Sequence, residues 1–398
     1  MISACLITKN EEAWIGECIA HLKPIVSEFI VVDTGSTDRT IEIARAAGAR
    51  VSKVQWQNDF AKARNTSLEK ATQRWILIID PDERLAKKDL EKLKNLTLAR
   101  DAMAYSFNAR NYSRNPAVSH FKPSSKEYPL EEKDYPGYFE SRKIRLFQNI
   151  PSIRFVGSVH ELVETTVKGK IIESDIPFHH YGSTPEMDAE KNKRSFYQEQ
   201  GTKKINENPN DWKAHFELGV EYLGAKEHGR AVKELERAKQ LKPNDSLILS
   251  NLGYAYMEAG KLSEGQNTLD ECLRLDPHYH DALLNLGVIQ MRRQKWAQAV
   301  EIFDKIVKKY PGSFLAYRNS GNCFAHQRKF QAAAKCFEKA IQLFPQYADA
   351  RIDLGLVCIA GGRPDVAKPI LEEALKISPS SLRAKALLDE ATSAIQKK

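Results

Sequence analysis

Trp75-Ile-Leu-Ile-Ile-Asp-Pro-Asp-Glu83 is the stretch on which the reading of the first half turns. Residues 75–79 are uniformly apolar and rich in aromatic and β-branched side chains, which predicts a buried strand. Two carboxylates one residue apart follow at once. Pro81 stiffens the turn between them, so Asp80 and Asp82 can face the same cation. Oxygen donors of this kind suit Mg²⁺ or Mn²⁺ bridging a diphosphate. Alone, an Asp-x-Asp is a weak signal, because a solvated turn or a helix cap has the same composition.

Upstream, strand and helix signals alternate. Residues 2–8 read as a strand, 11–22 as a helix, 29–32 as a strand ending in Asp33, and 40–47 as a helix closed by Gly48. Residues 50–56 then read as a strand and 60–72 as a helix. This βαβαβαβ order predicts an α/β domain with a Rossmann-like, mostly parallel sheet and helices on its faces. Ligands of such sheets sit beyond the carboxyl ends of the strands. The loops that matter are therefore 8–12, 33–37 and 80–83. Asp33-Thr-Gly-Ser-Thr-Asp38 places a carboxylate at a strand end, then a turn, then a helix start; by itself it could be a capped helix.

Four segments together carry a resemblance. Cys5-Leu-Ile-Thr-Lys-Asn-Glu-Glu12, Val31-Val-Asp-Thr-Gly-Ser-Thr-Asp-Arg-Thr40, Asn58-Asp-Phe-Ala-Lys-Ala-Arg-Asn65 and the stretch 75–83 resemble family 2 glycosyltransferases of GT-A fold. Within them the resemblance is to the sublancin-type peptide S-glycosyltransferases and their repeat-containing relatives. It covers residues 1–185, most strongly 1–85. It implies that Thr8, Asn10 and Glu12 line a nucleotide pocket, that Asp33 meets base or ribose, and that Asp59 and Arg64 complete the pocket. It further implies Asp80 toward the ribose and Asp82 toward metal and diphosphate, with Pro81 replacing the usual small residue between them.

An inverting transfer needs a general base for the acceptor's proton. No downstream pair of acids stands in a suitable place. The subgroup carries a Val-His-Glu, which the resemblance matches to Gly157-Ser-Val-His-Glu161 and which implies Glu161 as base with His160 beside donor or acceptor. The same two residues could simply satisfy a turn. His180, in His179-His180-Tyr181-Gly182, matches the subgroup's His-Tyr-Gly and is implied as a metal ligand; packing of one of the two histidines is the alternative. Residues 111–137, rich in proline and tyrosine, read as a long loop serving as a lid over the acceptor cleft that orders when donor binds.

The second half repeats. Gly219, Gly253, Gly287, Gly321 and Gly355 recur every 34 residues, as do Pro243, Pro277, Pro311, Pro345 and Pro379. Ala231, Gly265, Ala299, Ala333 and Ala367 stand twelve positions after each glycine, and Leu235, Leu269, Phe303, Phe337 and Leu371 four positions later. This resembles the tetratricopeptide repeat, an all-α solenoid. Small residues let two helices approach, bulky ones fill the seam, and proline ends the second helix. The domains expected are a transferase over 1–185, a linking helix or half-repeat over 186–211, five repeats over 212–381 and a capping helix over 382–398.

The net charge of +8 divides into +3 for residues 1–209 and +5 for 210–398, with bases interspersed among acids. That pattern lacks the one-sided patch of a nucleic-acid binder, and leaves weak attraction to an anionic membrane surface as an expectation. Six cysteines without a Cys-x-x-Cys pair read as buried thiols in a reducing compartment. The opening residues lack a signal-peptide pattern, so the expected location is cytoplasmic.

The sequence thus points to a metal-dependent (Mn²⁺ or Mg²⁺), inverting transfer of sugar from a nucleotide-sugar donor, UDP-sugar foremost, to a polypeptide or other acceptor selected by the repeats. Two alternatives stand beside it: a saccharide or lipid-linked acceptor for cell-surface polymers, and a repeat scaffold carrying a silent transferase fold.

Overall fold

The computed structural model describes residues 1–114, 116, 121–157, 161–181 and 189–396, with side chains of 189–197 excepted. Two compact units divide it at residues 193 and 194. In the first, strands β1 (Ile2–Thr8), β2 (Glu28–Asp33), β3 (Arg50–Lys53) and β4 (Trp75–Ile78) lie parallel in the order β3-β2-β1-β4. Helices α1 (Ile15–Leu22), α2 (Thr40–Ala46) and α3 (Phe60–Lys70) connect them. Side chains alternate between two apolar clusters: Leu6, Val31, Trp75 and Leu77 pack with Ile15 and Ile19 of α1, while Cys5, Ile30, Ile76 and Ile78 pack with Ala61 and Leu68 of α3. Burial on both faces is why these strands read as continuous apolar runs.

Helix α1 begins four residues later than the pattern suggested. The Glu11 amide donates to Thr40 Oγ1 at 2.7 Å and the Glu12 amide to Asp38 Oδ2 at 3.2 Å, so this segment is tied to the neighbouring loop, and it enters α1 through a turn in which the Glu11 carbonyl accepts the Trp14 and Ile15 amides.

Beyond residue 80 the sheet becomes mixed. After β5 (Glu83–Arg84) and α4 (Leu90–Leu96) come β6 (Ala104–Ser113), β7 (Lys122–Pro123), β8 (Gly137–Gln148), β9 (Ile171–Glu173) and β10 (Phe178–His180). Strand β8 runs antiparallel to both β4 and β6, and β10 lies between β6 and β5. This register sets His180 opposite Glu83 on one side and Asn111 on the other. A residue 97 positions after the carboxylate loop is thereby delivered to it.

The second unit is built of helix pairs. Following α5 (Ala189–Glu207), helices α6 (Trp212–Gly224) and α7 (His228–Leu241), α8 (Ser246–Glu258) and α9 (Leu262–Leu275), α10 (His280–Arg292) and α11 (Trp296–Lys309), α12 (Phe314–His326) and α13 (Phe330–Leu343), and α14 (Ala348–Ala360) and α15 (Pro364–Ile377) alternate, and α16 (Leu382–Gln396) closes the row. Each repeated glycine faces the bulky residue sixteen positions on; a Cβ built on Gly287 would lie 2.4 Å from the Phe303 ring. Leu235, Leu269, Phe303, Phe337 and Leu371 are completely buried there, each worth about 1.5–3 kcal/mol of transfer free energy. Each repeated proline stands two residues past the end of the second helix of its pair. No helix among the described residues is long and apolar enough to cross a membrane.

Candidate active site

The loops after β1 and β2 are bonded to one another. Asn10, at φ 58°, accepts the Thr37 amide on Oδ1 at 2.8 Å, and Glu12 Oε2 accepts the Arg39 amide at 3.0 Å. Thr8 is buried, and its Oγ1 lies 3.4 Å from Asp33 Oδ2. Asp33 is only 1% exposed, and both its oxygens are in use. Oδ1 accepts the amides of Gly35 and Ser36 at 3.1 and 3.0 Å, and Oδ2 accepts the Ser36 hydroxyl. This carboxylate, expected to meet base or ribose, also shapes the turn after its own strand. Asp59 is likewise engaged locally, as the N-cap of α3, accepting the Lys62 amide at 2.8 Å.

A chain of alternating charges forms the centre of the site. Arg64 of α3 is 8% exposed and donates from Nη2 to Asp80 Oδ1 at 2.9 Å and from Nε to Glu161 Oε1 at 2.5 Å. Burial would raise the Asp80 carboxyl, yet Arg64 and then Arg145 outweigh it and hold Asp80 below the usual carboxylate range. Burial likewise disfavours the Arg64 charge, and the carboxylates of Asp80 and Glu161 more than restore it. The residue read as a base therefore sits against the arginine that holds Asp80. His160 lies outside the described residues.

Asp82 and His180 meet. His180 Nε2 is 3.4 Å from Asp82 Oδ2, and its Nδ1 is 2.8 Å from Asn111 Oδ1. Asn111 is itself fixed, donating from Nδ2 to the carbonyls of Ala109 and Phe139 at 3.2 Å each. Burial would lower the His180 pKa, but its hydrogen bond to Asp82 and the surrounding carboxylates raise it. His179 points elsewhere. It is fully buried, with Nδ1 2.7 Å from the Tyr112 hydroxyl, and burial, seconded by Arg110, brings its pKa down to about 3. The two adjacent histidines thus divide into a packed one and one facing the carboxylate loop.

Three participants escaped the sequence reading. Glu83 stood in the decisive stretch without a role, Arg145 interrupts the apolar run Ile144-Arg-Leu-Phe147, and Asn111, read as the start of the long loop, lies in strand β6. Only Arg145 carried a visible signal, a charge within an apolar run. Of the long loop read over 111–137, residues 111–113 belong to β6 and 122–123 to β7, while 115 and 117–120 lie outside the described residues. Residues 124–136 close on themselves through Ser124 to the Pro136 carbonyl at 2.9 Å. Arg110 anchors them through Glu132 at 3.0 Å and Glu127 at 2.6 Å, with Tyr128 against the His179 ring.

Among the described residues no group of three His, Cys, Asp or Glu could hold a metal ion. The pair Asp82 and His180 still fits a divalent cation in its chemistry: the carboxylate oxygen suits Mn²⁺ or Mg²⁺, and the imidazole nitrogen, oriented through its other nitrogen, favours Mn²⁺ over the oxygen-seeking Mg²⁺. Such ions commonly take only one or two protein donors, the remainder coming from substrate phosphates and water.

Comparison with known proteins agrees with these features. The family described as Glycosyl transferase family 2, whose members commonly use divalent metal ions, matches residues 3–155, and tetratricopeptide repeat families match residues 250–314 and 324–391. A TPR repeat-containing protein of Synechococcus elongatus is 35% identical over 167 residues, 42% of this chain and 36% of the relative. The SPbeta prophage-derived glycosyltransferase SunS of Bacillus subtilis is 32% identical over 162 residues, 40% of this chain and 34% of the relative. An uncharacterized glycosyltransferase of Rickettsia typhi is 27% identical over 216 residues, 51% of this chain and 68% of the relative. The chain spans about a third of the length of the first two relatives. On strand-end loops, repeat period and family match together, residues 3–155 form a domain of the Glycosyl transferase family 2 kind and the second unit carries tetratricopeptide repeats.

Proposed function

We propose that residues 1–181 transfer a sugar from a nucleotide-sugar donor, a UDP-sugar foremost, to an acceptor selected by the repeats, a polypeptide being the favoured class. The observation that carries this reading is the meeting of Asp82 and His180 beside the Arg64–Asp80 pair. The carboxylates of Asp80, Asp82, Glu83 and Glu161 gather there with Arg64, Arg145 and His180.

In this reading Arg64 and Asp80 hold the ribose and diphosphate side of the donor. The loops built around Asp33, Asn10 and Glu12 form the wall of the base pocket, and Asp59 acts by starting α3 at the register that delivers Arg64. Asp82 and His180 would hold the cation, and the chemistry it would supply when bound is stabilisation of negative charge on the nucleoside diphosphate. Glu161 takes the proton of the acceptor hydroxyl or thiol as the new bond to the anomeric carbon forms and the bond to the diphosphate breaks. Its contact with Arg64 keeps it at the donor's edge.

Donor hydrolysis with radiolabelled UDP- and GDP-sugars tests this without a known acceptor. Wild-type protein should hydrolyse one donor in a Mn²⁺-dependent manner, and Asp82→Ala should lose roughly a hundredfold or more. Undiminished turnover in Asp82→Ala would remove the metal role. Absence of any nucleotide-dependent thermal shift would favour a silent scaffold.

A further inference from the structure

Strand β8 contains one residue more than its partner can match. Leu146 pairs with Tyr105 and Ile144 with Ser106, leaving Arg145 unpaired at a β-bulge. The bulge reverses the alternation: Ile144 joins the cluster under α3, while Leu146 joins the cluster under α1. Bulges re-aim side chains and concentrate beside functional sites. Here the side chain re-aimed is a guanidinium, 5% exposed, with Phe178 5.7 Å from its carbon.

Its target is Glu83. Arg145 Nη2 donates to Glu83 Oε1 at 2.5 Å, and Nη1 lies 3.6 Å from Asp80 Oδ2. Glu83 in turn closes the carboxylate loop from both ends. Its Oε2 accepts the Asp80 amide at 2.9 Å, and its own amide donates to the Asp80 carbonyl at 3.0 Å. The remaining loop carbonyls are held too, Pro81 by Arg84 Nη1 at 2.6 Å and Asp82 by the Tyr181 amide at 3.1 Å. Glu83 is almost wholly buried, so without Arg145 it would be an unpaired acid in the interior. Arg145 keeps a cost of its own, a buried Nε with no hydrogen-bond partner among the described residues. Neither the bulge nor the orphaned donor helps the fold by itself.

We propose that Arg145 is a positioning residue, turned by the bulge of β8 beneath residues 80–83, which through Glu83 sets the carboxylate of Asp80 for the donor and leaves Asp82 open toward His180. The consequence for donor binding rests on the transfer reading above; the setting of the loop does not.

Two measurements on the full chain separate these parts. Hydrogen exchange of a peptide spanning residues 77–85, followed by mass spectrometry, reads the loop directly. Arg145→Met should exchange there roughly tenfold faster or more, Arg145→Lys should recover most of the protection, and Glu83→Gln, nearly isosteric, should loosen the same peptide. Calorimetric titration with UDP, and separately GDP, in Mn²⁺ should show roughly tenfold weaker binding in Arg145→Met and partial rescue in Arg145→Lys. Unchanged exchange in both Arg145→Met and Glu83→Gln would overturn the proposal, as would nucleotide affinity equal to wild type. Wild-type protein that binds neither nucleotide would defeat the donor reading, while the exchange comparison would still decide the role of Arg145 in the loop.

Discussion

At the scale of single residues, chemistry here is decided by what each polar atom already holds. Glu161 and Asp33 are both acids of the site, yet Asp33 bonds within its own turn and Glu161 bonds to Arg64. Glu161→Gln keeps an acceptor for Arg64 and removes the proton-accepting carboxylate. It should leave the affinity for UDP with Mn²⁺ within about threefold while transfer falls roughly a hundredfold or more, measured by calorimetry and donor turnover. His179 gives a prediction on stability. Its folded-state pKa, about 3, lies below the ordinary 6.5. Between those values the unfolded chain binds a proton that the folded chain refuses, so this contribution is complete above pH 6.5 and is lost as pH falls toward 3. The slope is at most about 1.4 kcal/mol per pH unit. Urea midpoints of wild type and His179→Gln should converge as pH is lowered from 7 to 4; a constant gap would show that His179 stays out of the titration.

At the scale of elements, close approach is the recurring device. In the repeats, Gly287 lies against Phe303 as Gly219 lies against Leu235. Alanine is the better helix former by about 1 kcal/mol, but a Cβ 2.4 Å from a fully buried ring must push that ring aside, and overpacking costs about 1–3 kcal/mol. Gly287→Ala should therefore destabilise the repeat unit by up to about 2 kcal/mol in thermal or urea unfolding; a stabilised variant would mean the seam can yield. The same period made these elements legible from the sequence, because the glycine, the small residue and the bulky residue all lie within one helix pair. Strands β1, β2 and β4 were legible for a similar local reason, being apolar on both faces. Helix α1 was overread, since the pattern is blind to amides donated to another loop.

At the scale of the molecule, two compact units with separate cores carry two tasks. A ligand that binds one native unit stabilises that unit alone, by about 2.7 kcal/mol at a hundredfold excess over Kd. Differential scanning calorimetry with a nucleoside diphosphate and Mn²⁺ should move the transition of residues 1–193 upward and leave the repeat transition in place. Asp82→Ala should cancel the shift. Equal movement of both transitions would mean that the units unfold as one.

The sequence by itself determined the period of 34, the order of strands and helices through residue 80, and the loops at which chemistry gathers. Those features are written in spacings of a few residues, where backbone geometry alone dictates which side chains share a face. Tertiary structure decided what the polar residues do there. Arg64 meets Glu161 across 97 positions, His180 reaches Asp82 because β10 is seated between β6 and β5, and Arg145 arrives through a bulge in β8. A buried charge takes its role from the partner that offsets its desolvation, and those partners come from distant strands whose pairing no local pattern records.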